Sequence, residues 1–131
     1  MEEIKIRVWD KEENRMISGD RFAFEEYAPL NDLFRNNSKK FDFMLYTGYK
    51  DINGKEIYEG DIIERTDKTP VAGLYNEKEI GVVEYKNAQF VLKTGQDSYY
   101  EISYDGIFFT HMADYKVIGN IYENKELLEG K

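Results

Sequence analysis

The 131-residue chain has no cysteine, a single histidine, and no apolar run approaching the roughly 20 residues that a membrane helix needs. Without cysteine there are no disulfides, thiolate metal sites or cysteine nucleophiles, which fits a reducing cytosol. The lone histidine, His111, sits among Phe109, Thr110 and Met112. An imidazole with no thiol partner is a poor basis for a zinc site or a nucleophilic triad, so a structural or surface role is expected. The opening Met1-Glu2-Glu3-Ile4 lacks the basic end and apolar stretch of a signal peptide, so the protein is expected to remain in the cytoplasm, away from membranes. Basic charge is also in deficit, with 18 Lys and Arg against 26 Asp and Glu for a net charge of −8. Such a field opposes attraction to phosphates, and nucleic acid is not an expected partner. Residues 1–45 carry 8 basic and 10 acidic groups while residues 46–131 carry 10 and 16, so most of the acidity lies in the second part. There is no internal repeat, low-complexity segment or flexible linker.

Aromatic residues, by contrast, are abundant at 15%, including eleven tyrosines and eight phenylalanines. Such rings favour half-buried pleated surfaces, and the composition leans to β structure. Ile4, Ile6 and Val8 alternate with Lys5, Arg7 and Trp9 at the period of a strand with one buried face. The polar run Asp10–Asn14 then suits a hairpin loop leading to a short strand over Arg15–Ser18, closed by Gly19-Asp20. Phe22, Phe24 and Tyr27 suggest an irregular strand, and Asn31-Asp32 a capped helical turn through Leu33 and Phe34. Phe41, Phe43 and Leu45 alternate again, predicting a third strand that ends near Thr47-Gly48.

Beyond that point glycine punctuates the chain. Asn53-Gly54 is the dipeptide that most readily supplies two positive-φ residues to a tight turn. At Glu59-Gly60-Asp61, a glycine at a special backbone angle is expected, with Asp61 bonding nearby amides before a strand through Ile62-Ile63. Thr66 to Lys78, with Pro70 and Gly73, reads as a long exposed loop. Gly81–Tyr85 and Phe90–Lys93 form two apolar runs joined as a hairpin by Lys86–Gln89. Tyr99, Tyr100, Ile102 and Tyr104 precede Asp105-Gly106, and Ile107-Phe108-Phe109 resumes an apolar run. Tyr115–Tyr122 reads as a last strand whose Gly119 marks a bulge or bend. Asn124 is placed to cap a final short helix through Leu127 and Leu128, ended by Gly130. The fold class expected is mainly β: an SH3-like small barrel over residues 46–131, with an N-terminal β-hairpin and irregular extension over residues 1–45 and one or two short helical turns.

Three blocks in order, Ile4–Asp10, Tyr46-Thr47-Gly48 with Asp51–Ile63, and Val117–Asn124, resemble the YopX family of small proteins encoded mostly in phages and prophages. The residues carrying the resemblance are Trp9, Asp10, Tyr46, Thr47, Gly48, Asp51, Gly54, Tyr58, Glu59, Gly60, Asp61, Gly119, Asn120 and Tyr122. Thr66–Lys78 and Asp97–Asp114 depart from the family's pattern. The resemblance implies a bacterial or phage-derived cytoplasmic protein with a β-barrel core that forms homo-oligomers. It implies no activity, and no catalytic, metal or cofactor-binding residue is carried over.

The chemistry that can be sought in the residues gives the same answer. Ser98 and Ser103 lack a nucleophile-elbow context. Glu59, Asp61 and Glu64 would have to face one cleft to serve as a metal site or glycosidase pair, but strand alternation turns Glu64 away. Gly48, Gly54 and Gly60 recur six residues apart with no Gly-Lys-Ser/Thr ending, so turn geometry explains them better than a phosphate loop. The aromatics Tyr99, Tyr100, Tyr104, Phe108 and Phe109 are interleaved with Asp97, Glu101 and Asp105 rather than with basic residues, which favours core or subunit interface over a nucleic-acid platform. The expected function is that of a non-enzymatic phage or prophage accessory protein, without cofactor, that self-associates and binds a host or phage protein. Two alternatives stand beside it. One is a nucleic-acid-binding module using Lys50, Lys55, Lys68 and Lys78, and the other an acidic mimic of DNA that occupies a host protein.

Overall fold

The computed structural model describes residues 5–20, 40–68, 77–96, 98–102 and 113–129. The chain is mainly β and divides into two compact units, Met1–Tyr46 and Thr47–Lys131.

In the first unit, β1 (Ile6–Asp10) pairs antiparallel with β2 (Arg15–Ser18) on one side and with β3 (Phe41–Lys50) on the other. Register places Val8 opposite both Ile17 and Phe43, so the apolar residues of all three strands reach one face. Val8, Ile17 and Phe41 form its core, with Ile6 and Phe43 packed against them. The sheet is not apolar on one side alone, as strand alternation predicted. Trp9 and Met44 project from the opposite face and are also buried, whereas Leu45 is 36% exposed. Leu45 faces Ile6 in the terminal pair of the β1–β3 ladder, where fewer neighbours cover a side chain.

The third strand also runs further than expected, to Lys50. Gly48 adopts φ +89°, and the Thr47 hydroxyl donates to the Ile57 carbonyl at 2.8 Å while accepting the Tyr49 N–H at 3.1 Å. The glycine therefore bends the strand instead of ending it.

In the second unit, β4 (Glu56–Tyr58) lies beside the end of β3. A five-stranded antiparallel sheet follows in the order β8-β7-β6-β5-β9, made of β5 (Asp61–Asp67), β6 (Lys78–Lys86), β7 (Gln89–Lys93), β8 (Tyr99–Glu101) and β9 (Ala113–Asn120). Thr66, Asp67 and Lys78, read from sequence as loop, are strand residues, because Thr66 pairs with Lys78 on one side and Asp114 on the other. The link between β6 and β7 is two residues, Asn87 and Ala88, at φ +52° and +64°. Positive φ at both central positions is the twist-compatible hairpin turn. Opposite β5, Ile62 pairs with Gly119 but Ile63 pairs with Val117, which leaves Ile118 as the extra residue of a bulge beside the glycine. The last strand stops at Asn120, two residues short of the expected Tyr122.

Ile57, Ile63, Val83, Leu92 and Ile102 make the core of this unit, flanked by Tyr49, Phe90, Tyr100, Tyr115 and Val117. Each such aliphatic side chain contributes about 1.5–3 kcal/mol on burial. A 3-10 helix over Lys125–Leu127 follows the last strand, and Asn124 precedes it without capping it through its side chain. That side chain turns back to accept the Asn120 N–H at 3.1 Å. The expected strand at Phe22–Tyr27, the helical turn at Leu33–Phe34, and the segments containing Pro70, Tyr104–Phe109 and Gly130 lie outside the described residues.

Candidate functional site

Five polar residues of the sequence blocks, Asp10, Thr47, Asp51, Asp61 and Asn120, are buried, and each bonds main-chain groups. In the first unit, Asp10 accepts the N–H groups of Glu12 and Glu13 at 3.0 and 3.1 Å and lies 3.9 Å from the Arg15 guanidinium. Its neighbour Trp9 is buried, and Tyr46 lies under the Lys5 ammonium at 5.6 Å.

In the second unit, the Asp51 carboxylate holds two elements together. Its Oδ1 accepts the N–H groups of Asn53 and Lys55 at 2.9 and 2.8 Å, while Oδ2 accepts the Val117 N–H at 2.9 Å. The main chain adds a parallel tie, Ile52 N–H to the Tyr115 carbonyl at 2.9 Å. The Asn53-Gly54 turn is thus fastened to β9 near the bulge. Only Gly54, at φ +84°, takes the left-handed conformation; Asn53 does not, contrary to the paired geometry its dipeptide suggested. The Asp51 side chain already organises the loop in the manner of an Asx turn, so a single positive-φ residue completes it.

A second clamp surrounds Gly60. Its φ is +83°, its N–H donates to the Val83 carbonyl, and its carbonyl accepts the Ile121 N–H, both at 2.9 Å. Asp61, 1% exposed, accepts the Tyr58 N–H at 2.8 Å, and Tyr58 donates its hydroxyl to Glu56 at 3.2 Å. Asn120 closes the third clamp, accepting the Tyr122 and Glu123 N–H groups at 3.0 and 2.9 Å and donating to the Glu123 carboxylate at 2.8 Å. Buried polar groups are stable only when satisfied, and here the main chain satisfies them.

One cluster escaped the sequence reading. Arg65, 7% exposed, places its guanidinium 3.9 Å from the centroid of the Tyr100 ring and 5.9 Å from that of Tyr115, with the Asp67 carboxylate at 3.6 Å. Tyr100 donates its hydroxyl to Glu79. That hydrogen bond, followed by burial and the negative charge of Glu79, raises the tyrosine above its usual value of 10.0. Tyr100 is on β8 and Arg65 on β5, with two strands between them, so a flat sheet would separate their backbones by roughly 14 Å. Their contact shows that the sheet curls. The signal in the sequence was alternation, since Ile63, Arg65 and Asp67 share a face once the strand is carried past Ile63. Ending the apolar run at Ile63 left Arg65 with no face assigned.

The remaining candidates do not converge. Glu64 pairs with Lys78 at 3.7 Å, away from the turn that engages Asp61. Among the described residues, no group of three or more His, Asp or Glu side chains could hold a metal ion. Of the four lysines considered for nucleic acid, Lys50 and Lys55 are exposed, Lys68 lies 3.8 Å from Asp114, and Lys78 pairs with Glu64. His111 and Ser103 fall outside the described residues, and Ser98 is exposed. No helix among the described residues is long and apolar enough to cross a membrane.

Comparison with known proteins agrees with this architecture. No curated protein matches the sequence. The crystal structure of protein EF1440 from Enterococcus faecalis matches 98% of this chain and 100% of its own at 24% identity, with a TM-score of 0.60. The crystal structure of protein yopX from Bacillus subtilis matches 95% of this chain and 98% of its own at 19% identity, with a TM-score of 0.57. At these identities the likeness is one of fold. The sequence itself matches the family described as YopX protein over residues 5–129, and the chain belongs to the YopX family.

Proposed function

We propose that the protein is a non-enzymatic accessory protein of phage or prophage origin, acting in the cytoplasm of a bacterial host by self-association and by binding another protein. The observation that carries this reading is a division of labour within the second unit. The buried side chains of Asp51, Asp61 and Asn120 serve the main chain, whereas Ile52 and Tyr85, 57% and 52% exposed, present apolar surface at two hairpin ends. Exposed apolar and aromatic side chains are the groups that partner proteins use. Membership of the YopX family supports the reading of origin. An SH3-like barrel is the architecture proposed for this unit. Its support is the antiparallel run β5 to β8 with β9 returning beside β5, and the contact of Arg65 with rings from both ends of that sheet.

The alternatives draw less support. Two of the four lysines proposed for nucleic acid are already beside carboxylates. For DNA mimicry, Asp42, Glu12, Glu64 and Asp114 each lie within 4 Å of a lysine, which breaks up a continuous acidic array. Light scattering at micromolar concentration tests the proposal. A dimer or larger assembly is expected, and the Ile52→Ser/Tyr85→Ser variant is expected to shift it toward monomer without changing the circular dichroism spectrum. A strict monomer for the parent chain would remove self-association.

A further inference from the structure

We infer that Asn53 is a site of spontaneous covalent modification, converted through a succinimide to aspartate and isoaspartate at a rate set by opening of the turn that Asp51 organises. Asn53 and Gly54 are both exposed, and a Cβ placed on Gly54 would meet nothing within 4 Å. Gly54 itself carries no side chain to hinder attack by its nitrogen on the Asn53 side chain. Hydroxide removes the Gly54 amide proton, and the nitrogen attacks Cγ of Asn53. The new N–Cγ bond forms as the Cγ–Nδ2 bond breaks, and the amide leaves as ammonia after taking a proton from water. Water then adds to either carbonyl of the five-membered imide. One opening gives aspartate and the other gives isoaspartate, in which the main chain runs through the former side chain. No oxidant or reductant is involved.

The folded turn restrains this step at its first stage. The Gly54 N–H donates to the Asp51 carbonyl at 2.9 Å, and the Asn53 N–H donates to Asp51 Oδ1 at 2.9 Å. The nucleophile is engaged until the turn opens, and opening must break the hydrogen bonds around Asp51. Asn87-Ala88 is an internal comparison on the same unit. It is also an exposed hairpin turn, but its following residue carries a methyl group that hinders attack. Conversion at Asn53 has a defined structural consequence. Isoaspartate lengthens the backbone between Asp51 and Lys55, whose mutual hydrogen bonds at 2.8 Å set the position of the carboxylate that holds Val117.

The full-length protein is incubated at mildly alkaline pH, native and in urea, and sampled by peptide mapping with an enzymatic isoaspartate assay. Isoaspartate is expected at position 53 in both states, roughly tenfold or more slower in the native protein, as expected for a gated turn. The native Asp51→Asn variant, which keeps the side chain's shape, should convert faster than the parent. In both states Asn87 should convert more slowly than Asn53. The site is refuted if Asn53 forms no isoaspartate in urea, if native Asn53 forms none over about a hundred half-lives of the urea reaction, or if Asn87 reacts as fast. Equal rates in the native and unfolded states would refute gating by the turn.

Discussion

Replacing Asp51 by alanine tests the clamp between the Asn53-Gly54 turn and the last strand. The carboxylate accepts three main-chain N–H groups, but they do not have equal weight. Asn53 and Lys55 are exposed, so water replaces much of what their amides lose. Val117 is partly buried, flanks the core and sits beside the bulge, so its orphaned N–H costs about 1–3 kcal/mol. Adding a fraction for the two turn bonds gives a loss of about 2–4 kcal/mol for Asp51→Ala. At this chain length that corresponds to a fall in Tm of roughly 10 °C. Asp51→Asn separates the two contributions. One oxygen can still serve the turn, but its NH2 group would face the Val117 N–H, donor against donor, and about half the loss is expected. Urea unfolding supplies the free energies, and native-state hydrogen exchange reads Val117 directly. Loss of protection at Val117 in both variants is the signature of the clamp. A change below about 0.5 kcal/mol for Asp51→Ala, the range of ordinary surface substitutions, would refute the reasoning. So would retained Val117 protection in Asp51→Asn.

Three other outcomes follow from local geometry. Ala88→Gly relieves a left-handed conformation in the hairpin turn and should stabilise by about 0.5–1 kcal/mol, measured as a shift of the urea midpoint. At Gly119 an added Cβ would lie 2.6 to 2.8 Å from the Asn124 side chain. Gly119→Ala should therefore cost about 1–3 kcal/mol, with a substantial part recovered in Gly119→Ala/Asn124→Gly; additive costs in a double-mutant cycle would show that no such clash operates. Tyr100 holds its proton more tightly in the folded than in the unfolded chain, because of its hydrogen bond to Glu79 and then its burial. The resulting stabilisation is complete below pH 10.0 and is lost as pH rises through the folded value, so an alkaline unfolding series should show a decline that Tyr100→Phe lacks.

The sequence made turns more legible than faces. Gly60, Asp61 and the bulge at Gly119 were visible because each depends on a few adjacent residues. The faces of β1 and β3 were harder to read, since alternation assumes that only one side is covered and both Trp9 and Val8 are buried. Asn124 was assigned the cap of a following helix from its position. The actual choice lay with Asn120, whose N–H four residues earlier competes for the same side-chain oxygen. Arg65 was missed because its importance depends on Tyr100 and Tyr115, residues brought to it only by the curl of the sheet.

The position of β5 has a consequence for how the second unit comes into being. This strand lies between β6, which follows it directly, and β9, which begins 52 residues after β5 begins. During synthesis one edge of a strand carrying Ile62 and Ile63 stays open until the last strand emerges, and Arg65 waits just as long for the Tyr115 ring. An open, apolar edge of this kind is a template for wrong partners. The nascent unit is therefore most vulnerable to aggregation late, when the meander is already formed and only its final strand is outstanding.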